Sequence, residues 1–162
     1  MRIIVVIAIA LWSCQNIVRG QNPQTPVPTD TVITLVRISD AFFLGRDYKV
    51  SITADGTVVL QQIKDLKLLP SITTKLPTEK VRELLAEFEG VNFFSLKDKY
   101  VKREDGCPEE WTDAGGAEVS ITINKRSKTI HHYYGCKQDQ GSLVFQLEKR
   151  IDEIVGAQQW LK

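Results

Sequence analysis

Two alternating segments joined by a tight turn, residues 48–53 and 58–62, restrict the fold more than any other feature of the sequence. In residues 48–53 apolar side chains alternate with polar ones, so one face of a strand is apolar and the other polar. Asp55 and Gly56 follow, and this pair supplies the positive φ that a tight hairpin turn needs. Residues 58–62 then form the return strand. The pattern predicts an antiparallel hairpin that buries one face.

An amphipathic helix is predicted after this hairpin. It begins around Thr78, and Gly90 is a natural C-terminal stop. Apolar residues recur in it at helical spacing, whereas charged residues occupy the opposite face. The apolar stripe consists of Val81, Leu84, Leu85 and Phe88. Phe93 and Phe94, just beyond the helix, are predicted to fill the core under its end.

The second half of the chain repeats this order of hairpin and helix. Residues 117–124 and 128–134 predict a second hairpin, in which His132 points toward the core and His131 toward solvent. A second helical stripe follows, made of Leu143, Leu147, Ile151, Ile154 and Val155. The charged residues among them are predicted to face water, namely Glu148, Lys149, Arg150, Asp152 and Glu153.

Together these elements predict an α+β fold, a mainly antiparallel sheet built from two hairpins with two helices packed on one face. Residues 31–38 are rich in β-branched side chains and predict one further strand. With 43% hydrophobic and 25% charged residues, the composition is close to that of soluble globular proteins, which excludes a disordered chain and a multi-span membrane protein. We therefore expect one globular domain over residues 31–162.

Residues 1–20 are typical of a secretory signal peptide. Residues 3–11 form an apolar run that is too short to cross roughly 30 Å of hydrocarbon as a helix, but it suits the core of a signal peptide. Gly20 fits a cleavage site before Gln21. Residues 21–30 contain three of the six prolines and predict an extended tether. The mature protein is expected to be exported, to the periplasm or outside the cell.

A second processing site remains open at Cys14. The preceding Leu-Trp-Ser is similar to a bacterial lipobox, although Trp stands where a small residue is usual. Lipidation of Cys14 would anchor the protein to the envelope membrane, whereas cleavage after Gly20 would release it. Membrane contact is expected only in the lipidated form.

The two remaining cysteines predict a disulfide between Cys107 and Cys136. Exported proteins meet an oxidising compartment, where an even pair of cysteines is most simply a disulfide. Two free thiols or half of a metal site are the alternatives, but CxxC spacing is absent and a zinc site needs about four ligands. The bond would tie the loop before the second hairpin to the end of its returning strand.

The charge of the chain is nearly balanced, with 21 Lys+Arg against 20 Asp+Glu. Removing residues 1–20 takes away two arginines and no acid, so acidic residues then exceed basic ones by one. A nucleic-acid surface needs a concentrated basic patch, which this balance does not favour. We expect no nucleic-acid partner. An envelope protein or a small ligand is the expected kind of partner.

The sequence contains no P-loop, dinucleotide-binding, HExxH or nucleophile motif. The candidates for catalysis are His131, Asp113 and Tyr133. An acidic loop around Cys107 offers oxygen ligands for a cation such as calcium. Its carboxylates are Glu104, Asp105, Glu109, Glu110 and Asp113, and the last four are the candidate metal ligands. Their spacing is not that of an EF-hand, so a solvated loop without metal or cofactor is the prediction.

Aromatic residues at loop edges offer a surface for a ligand or a partner. They are Phe42, Phe43, Tyr100, Trp111 and Tyr133. Trp111 and the solvent-facing Tyr133 are the candidate binding residues. Packing in the core is the commoner use of such side chains, and a binding patch is the alternative.

Several segments between residue 31 and the C-terminus carry a family resemblance. They are residues 48–52, 55–58, 84–88, 93–100, 112–113, 133–135, 147–152 and 160–161. Through them the chain resembles the bacterial family called domain of unknown function 6438, and residues 93–100 are the most specific part. Many members carry a Cys-Pro motif before the first hairpin's tyrosine, where residues 44–47 here read Leu-Gly-Arg-Asp. The resemblance implies one complete exported domain and assigns no catalytic residue.

These observations favour an exported, non-enzymatic binding or interaction module. The alternative is a small extracytoplasmic hydrolase or metal-dependent enzyme that uses His131 and the acidic loop. A cleft shared by His131 and Asp113 would favour the enzyme, because acid–base chemistry needs hydrogen-bond reach. A purely structural envelope domain is a third hypothesis.

Overall fold

Strands and helices occur in mixed order in the computed structural model, which describes residues 26–39, 46–107, 109–137 and 139–161. The strands are β1 (Val32–Ile38), β2 (Tyr48–Thr53), β3 (Thr57–Lys64), β4 (Lys67–Leu68), β5 (Ile72–Lys75), β6 (Lys99–Tyr100), β7 (Glu109–Glu110), β8 (Gly116–Ile123), β9 (Arg126–Tyr133) and β10 (Cys136–Lys137). The helices are α1 (Thr78–Gly90), α2 (Asp139–Val155) and α3 (Ala157–Trp160). The prediction of a mixed α+β fold is confirmed.

The main sheet has β1 at its centre. Its strand order is β4-β3-β2-β1-β8-β9-β6, and β5 also pairs with β3. Every pairing is antiparallel except that of β6 with β9, which is parallel. The sheet is therefore mainly antiparallel, as predicted. It contains the two predicted hairpins, β2–β3 and β8–β9, and β1 lies between them. β1 pairs with β2 on one side and with β8 on the other.

Two rows of buried apolar side chains cross the sheet. The strand register brings level Val58, Ile52, Ile33 and Ile121 in one row, and Leu60, Val50, Leu35, Val119 and Ile130 in the other. Side chains that are level on neighbouring strands lie on the same face. The core therefore lies on one face of the sheet.

The helices add their apolar stripes to this core. The buried residues of α1 are Val81, Leu84, Leu85 and Phe88, which is the predicted stripe. Phe93 is buried and packs edge-on against Phe88, with ring centroids 4.9 Å apart. α2 contacts β8, β9 and α1. The predicted role of Phe93 in the core is confirmed.

The turn between β2 and β3 requires glycine at position 56. Gly56 has a φ of +82°, a conformation that other residues rarely adopt, and its N–H donates to the Thr53 oxygen at 2.8 Å. A Cβ at this position would collide with the carbonyl oxygen of Leu76. The Asp55 carboxylate accepts a hydrogen bond from the Thr57 N–H at 3.1 Å. The Asp-Gly pair thus closes the turn from both sides.

Part of the predicted tether contacts the domain. The Asp30 carboxylate accepts hydrogen bonds from the backbone N–H groups of Asn124 and Lys125 at 3.0 and 2.6 Å. These bonds, the one from Lys125 first, lower the pKa of Asp30. Val27 packs against the core. Asp30 therefore caps the turn between β8 and β9, while residues 21–25 lie outside the described part.

The buried face of α2 differs from the predicted one. Leu143 was expected in the core but is 36% exposed, and Glu148 was expected to face water but is 0% exposed. The observed inward stripe is Val144, Leu147, Glu148, Ile151 and Val155. Its spacing of three and four residues is still helical, but the stripe is rotated toward Glu148. The predicted stripe of α2 was wrong at this point because Glu148, a charged residue, occupies a core position.

Candidate functional site

A buried polar cluster lies between the sheet and α2, and its members are Arg37, Tyr48, His132, Tyr134, Glu148 and Asp152. Three of them form the next row of the sheet beside the apolar rows. Arg37 is level with Tyr48 on one side and with Ala117 on the other, and Ala117 is level with His132. The strand register therefore places a cation, a phenol and an imidazole at one end of the core.

Glu148 connects Arg37 and His132, which lie on either side of Ala117 in this row. Its Oε1 lies 2.8 Å from His132 Nδ1, and its Oε2 accepts a hydrogen bond from Arg37 Nη1 at 3.2 Å. The Tyr134 hydroxyl donates to the same Oε2 at 3.0 Å and accepts from Arg37. Both oxygens of Glu148 are therefore engaged.

Asp152 completes the cluster one helical turn later. Arg37 Nε donates to its Oδ2 at 2.7 Å, and the Tyr48 hydroxyl donates to its Oδ1. Residues four apart on a helix share a face, so Glu148 and Asp152 both reach the guanidinium. Phe145 packs edge-on against the rings of His132 and Tyr134, with centroids 6.3 and 5.7 Å away.

Burial controls protonation within the cluster. It raises the pKa of Asp152 above its usual value, against the opposing effects of Arg37 and Tyr48. Burial alone would lower the pKa of Arg37, but the charge of Asp152 contributes to raising it, so the guanidinium stays charged. Burial first, then the neighbouring carboxylates, raises the pKa of Tyr48 and Tyr134. Both hydroxyls keep their protons.

The carboxylates of the cluster are bonded to its own members. All four carboxylate oxygens of Glu148 and Asp152 accept hydrogen bonds from inside the cluster. A general base must reach the proton that it removes, and these oxygens are already engaged. A fully satisfied polar network in a low-dielectric core instead specifies how its elements pack.

His131 lies in a separate cleft on the opposite face from His132. Its Nδ1 is 3.3 Å from Glu118 Oε2. The cleft has a volume of about 620 Å³, and Asp98 and Lys128 also line it. Its described lining includes none of the other predicted catalytic residues and none of the acidic loop.

Tyr133 and Trp111 are held together through the backbone. The Tyr133 hydroxyl donates to the Trp111 carbonyl oxygen at 2.6 Å and accepts from the Ala114 N–H at 3.1 Å. The Trp111 N–H donates to the Gly135 oxygen at 3.0 Å. A Cβ on Gly135 would collide with this oxygen of Trp111 and with the Tyr133 ring, so the close approach requires glycine. Tyr133 thus orders the segment that carries Trp111.

The predicted disulfide joins Cys107 to Cys136, with the Cα atoms 5.2 Å apart. Directly beside it, β7 pairs with β10, so that Cys136 is level with Glu110. Both cysteines are buried. The Trp111 segment is therefore fixed to the end of the second hairpin by a covalent bond and by backbone pairing.

The described carboxylates of the acidic loop do not converge on a metal position. Glu104 pairs with Lys102, and Glu109 and Asp113 are exposed. The side chain of Glu110 lies outside the described part. Among the described residues, no group of three or more His, Cys, Asp or Glu side chains is placed to hold a metal ion.

The remaining predicted aromatic residues differ in position. Tyr100 is fully buried, and its hydroxyl accepts from the Lys97 N–H at 3.1 Å, so it packs in the core, which is the commoner use of such a residue. Phe42, Phe43 and the processing site at Cys14 lie outside the described residues. None of the described helices is long and apolar enough to cross a membrane.

The polar cluster was missed at the sequence level, although two signals pointed to it. Arg37 is in phase with the apolar Ile33 and Leu35 of β1, which places its charge on the core face. Glu148 follows Val144 by four residues, which places it on the apolar side of α2. A cation and an anion on the core faces of two elements indicate a buried pair.

The fold and its site define the class, an α+β domain with a mainly antiparallel sheet, a disulfide-tied loop and a satisfied buried polar cluster. The sequence profile of the family described as domain of unknown function (DUF6438) matches residues 45–155. The chain belongs to this family, which confirms the resemblance. The match includes every member of the cluster except Arg37, which precedes it. Among proteins with curated descriptions, none matches the sequence.

Proposed function

We propose that this protein is an exported, non-enzymatic binding module of the bacterial envelope, with Trp111 at the centre of its contact surface. One contrast carries the proposal. The Trp111 side chain is 61% exposed, whereas its backbone is held by Gly135 and Tyr133. A large aromatic side chain held in solvent on an ordered backbone suits a contact with a protein partner.

The energetics of binding support this role for Trp111. Tryptophan is enriched among the few residues that dominate the free energy of interfaces. Ordering a flexible side chain on binding costs roughly 0.5–1.5 kcal/mol, and ordering a loop adds to this cost. The Cys107–Cys136 bond and the Tyr133 hydroxyl already order the backbone around Trp111. More of the contact energy therefore remains for affinity.

The placement of the titratable groups supports a role without catalysis. The carboxylates of Glu148 and Asp152 are hydrogen-bonded to Arg37, Tyr48, His132 and Tyr134. Neither Asp113 nor Tyr133 is among the residues that line the cleft of His131. A hydrolase would need a nucleophile or an activated water within hydrogen-bond reach of a base. An envelope protein is the partner class that we favour, because a single exposed Trp on an open surface suits a protein better than an enclosed small ligand.

Replacing Trp111 with alanine is expected to weaken partner binding by about 2 kcal/mol, roughly 30-fold, because the contact loses its largest apolar side chain. The free energy of unfolding should change by less than about 0.5 kcal/mol, since most of the side chain is in water. Binding is measured by capture from solubilised envelopes of the source bacterium, followed by titration of the purified partner.

Two further variants distinguish the contact made by the Trp111 side chain from the hydrogen bonding that orders its backbone. Leu66→Ala removes another exposed apolar side chain, which is 94% exposed, and should leave binding unchanged. Tyr133→Phe keeps the surface but removes the bond to the Trp111 oxygen, so it should weaken binding by about 0.5–1.5 kcal/mol. Equal binding by the wild type and Trp111→Ala would show that Trp111 is not the contact.

Export has its own expected outcome. When the full chain is expressed in a bacterial host, the protein in the periplasmic fraction should begin at Gln21, because the apolar run directs translocation and Gly20 fits the cleavage site. Intact-mass spectrometry measures this end. Cys14→Ser should process in the same way. A lipid-modified Cys14 in the membrane fraction would establish the anchored form, and an uncleaved cytoplasmic chain would contradict export.

A further inference from the structure

The strand β9 has an uncovered edge. It pairs with β8 along its whole length, but on its other side β6 reaches only His131 and His132. Within the described ranges, no strand pairs with residues 126–129 on that side. An uncovered edge presents backbone N–H and C=O groups, and it is a template for another extended chain.

One hydrogen bond fixes which backbone groups face this edge. The His131 N–H donates to the Asp98 carbonyl oxygen on the β6 side at 2.9 Å. In an antiparallel ladder, successive residues direct their backbone groups to alternate sides. The groups of Ser127 and Thr129 therefore face the uncovered side, whereas those of Lys128 face β8. The backbone N–H and C=O groups of Ser127 and Thr129 are therefore the ones that an added strand would pair with.

The cleft of about 620 Å³ lies directly beside these residues. Phe94, Ser127 and Thr129 are among the residues that line it. Ligand sites typically have volumes of about 300–1,000 Å³, so the space suits a short segment. Four extended residues span about 13 Å, which matches the four uncovered residues 126–129.

Positive charge exceeds negative charge in this cleft. Lys128 Nζ lies 2.6 Å from Asp98 Oδ1, and this pair cancels. Arg126 and Lys99 then remain as cations of the lining. The Arg126 guanidinium lies 4.2 Å over the Phe94 ring, which places its charge at the wall of the cleft. An occupant with carboxylates complements this lining.

We infer that the edge of β9 binds an extended, acidic peptide segment of a protein partner by strand addition. The backbone of the segment pairs with Ser127 and Thr129. An acidic side chain on one face of the segment approaches Arg126, and one on the other face approaches Lys99. Main-chain hydrogen bonds of this kind supply affinity, while alternate side chains supply specificity. The inference does not depend on Trp111, so either surface can fail in its test while the other stands.

The test uses the disulfide-bonded exported protein, labelled with ¹⁵N, and pools of capped five-residue peptides. One pool has Glu at alternate positions with Val, Thr or Tyr between them, and the matched pool has Lys in place of Glu. The Glu pool should bind with a Kd below about 1 mM, and the Lys pool should bind at least about tenfold more weakly. Amide shifts should be confined to residues 126–131 and their neighbours in the cleft.

Substitutions at one position separate backbone pairing from side-chain contact. Thr129→Pro removes the N–H on the uncovered side without removing a bond to β8, and it should weaken binding at least about tenfold. Thr129→Val keeps that N–H and should bind within about threefold of the wild type. Arg126→Glu should favour the Lys pool over the Glu pool. In the free protein, the amides of Ser127 and Thr129 should exchange faster than that of Lys128.

Three results would overturn the inference. The first is no saturable binding of any Glu peptide up to about 5 mM. The second is equal affinity of the Thr129→Pro and Thr129→Val variants. The third is displacement by free glutamate at concentrations similar to the peptide, which would assign the cleft to small anions.

Discussion

Replacing Arg37 with alanine is expected to lower the free energy of unfolding by about 3–5 kcal/mol, because a buried pair that loses one partner leaves an uncompensated charge. Arg37 bonds to both Glu148 and Asp152, so its loss leaves two carboxylates without their cation. Glu148 is fully buried in the folded protein, so its charge depends on partners inside the cluster. Denaturant unfolding followed by circular dichroism measures the change.

Matched variants show whether burial causes the effect. Lys80→Ala breaks an exposed pair with Glu83 on α1 and should cost only about 0.5 kcal/mol. Adding Glu148→Gln and Asp152→Asn to the Arg37 variant removes the stranded charges, and it should recover at least about 1 kcal/mol. A loss below about 1 kcal/mol for Arg37→Ala would contradict a stabilising role of the cluster.

Removing the disulfide is expected to have the second large effect. Cys107 and Cys136 are 29 residues apart, and the chain-entropy estimate for closing such a loop is about 3.5 kcal/mol. The double substitution Cys107→Ala with Cys136→Ala should lower the free energy of unfolding by roughly this amount. Thermal and denaturant unfolding of the oxidised protein and the double variant give the difference.

Reduction supplies the control for this substitution. Dithiothreitol should shift the unfolding midpoint of the wild type toward that of the double variant, whereas the variant itself should not respond. If the oxidised wild type and the variant unfold at the same midpoint, the crosslink contributes nothing to stability. The variant should also bind the Trp111 partner more weakly, because the segment that carries Trp111 loses its covalent tie.

The parts of the fold that were predictable depend on local periodicity. Strand alternation and helical spacing each report which side chains share a face, and they identified β2, β3, α1 and the buried side of His132. The central position of β1 could not be obtained in this way. Strand order depends on pairing between residues far apart, such as Leu35 with Val119, and no local pattern records that pairing.

The candidate site was less predictable, because its members come from four separate segments. Glu148 was assigned to solvent because charged residues are usually exposed, and the same rule would place Arg37 there. Here each one stabilises the other inside the core, which a rule for single residues cannot express. Tyr100 shows what residue type does predict, because core packing was the commoner expectation for these aromatic residues and Tyr100 lies in the core.

The cluster also affects the order in which the domain can be completed. Arg37 and Tyr48 belong to the first two strands, whereas both carboxylates that engage them belong to α2, near the C-terminal end. During synthesis these two strands emerge first, and the guanidinium lacks both carboxylate partners until α2 has been made. A chain truncated before α2 would expose a cation on the core face of its sheet. The cluster is therefore complete only after α2 has been made, when the described strands and α1 are already present in the chain.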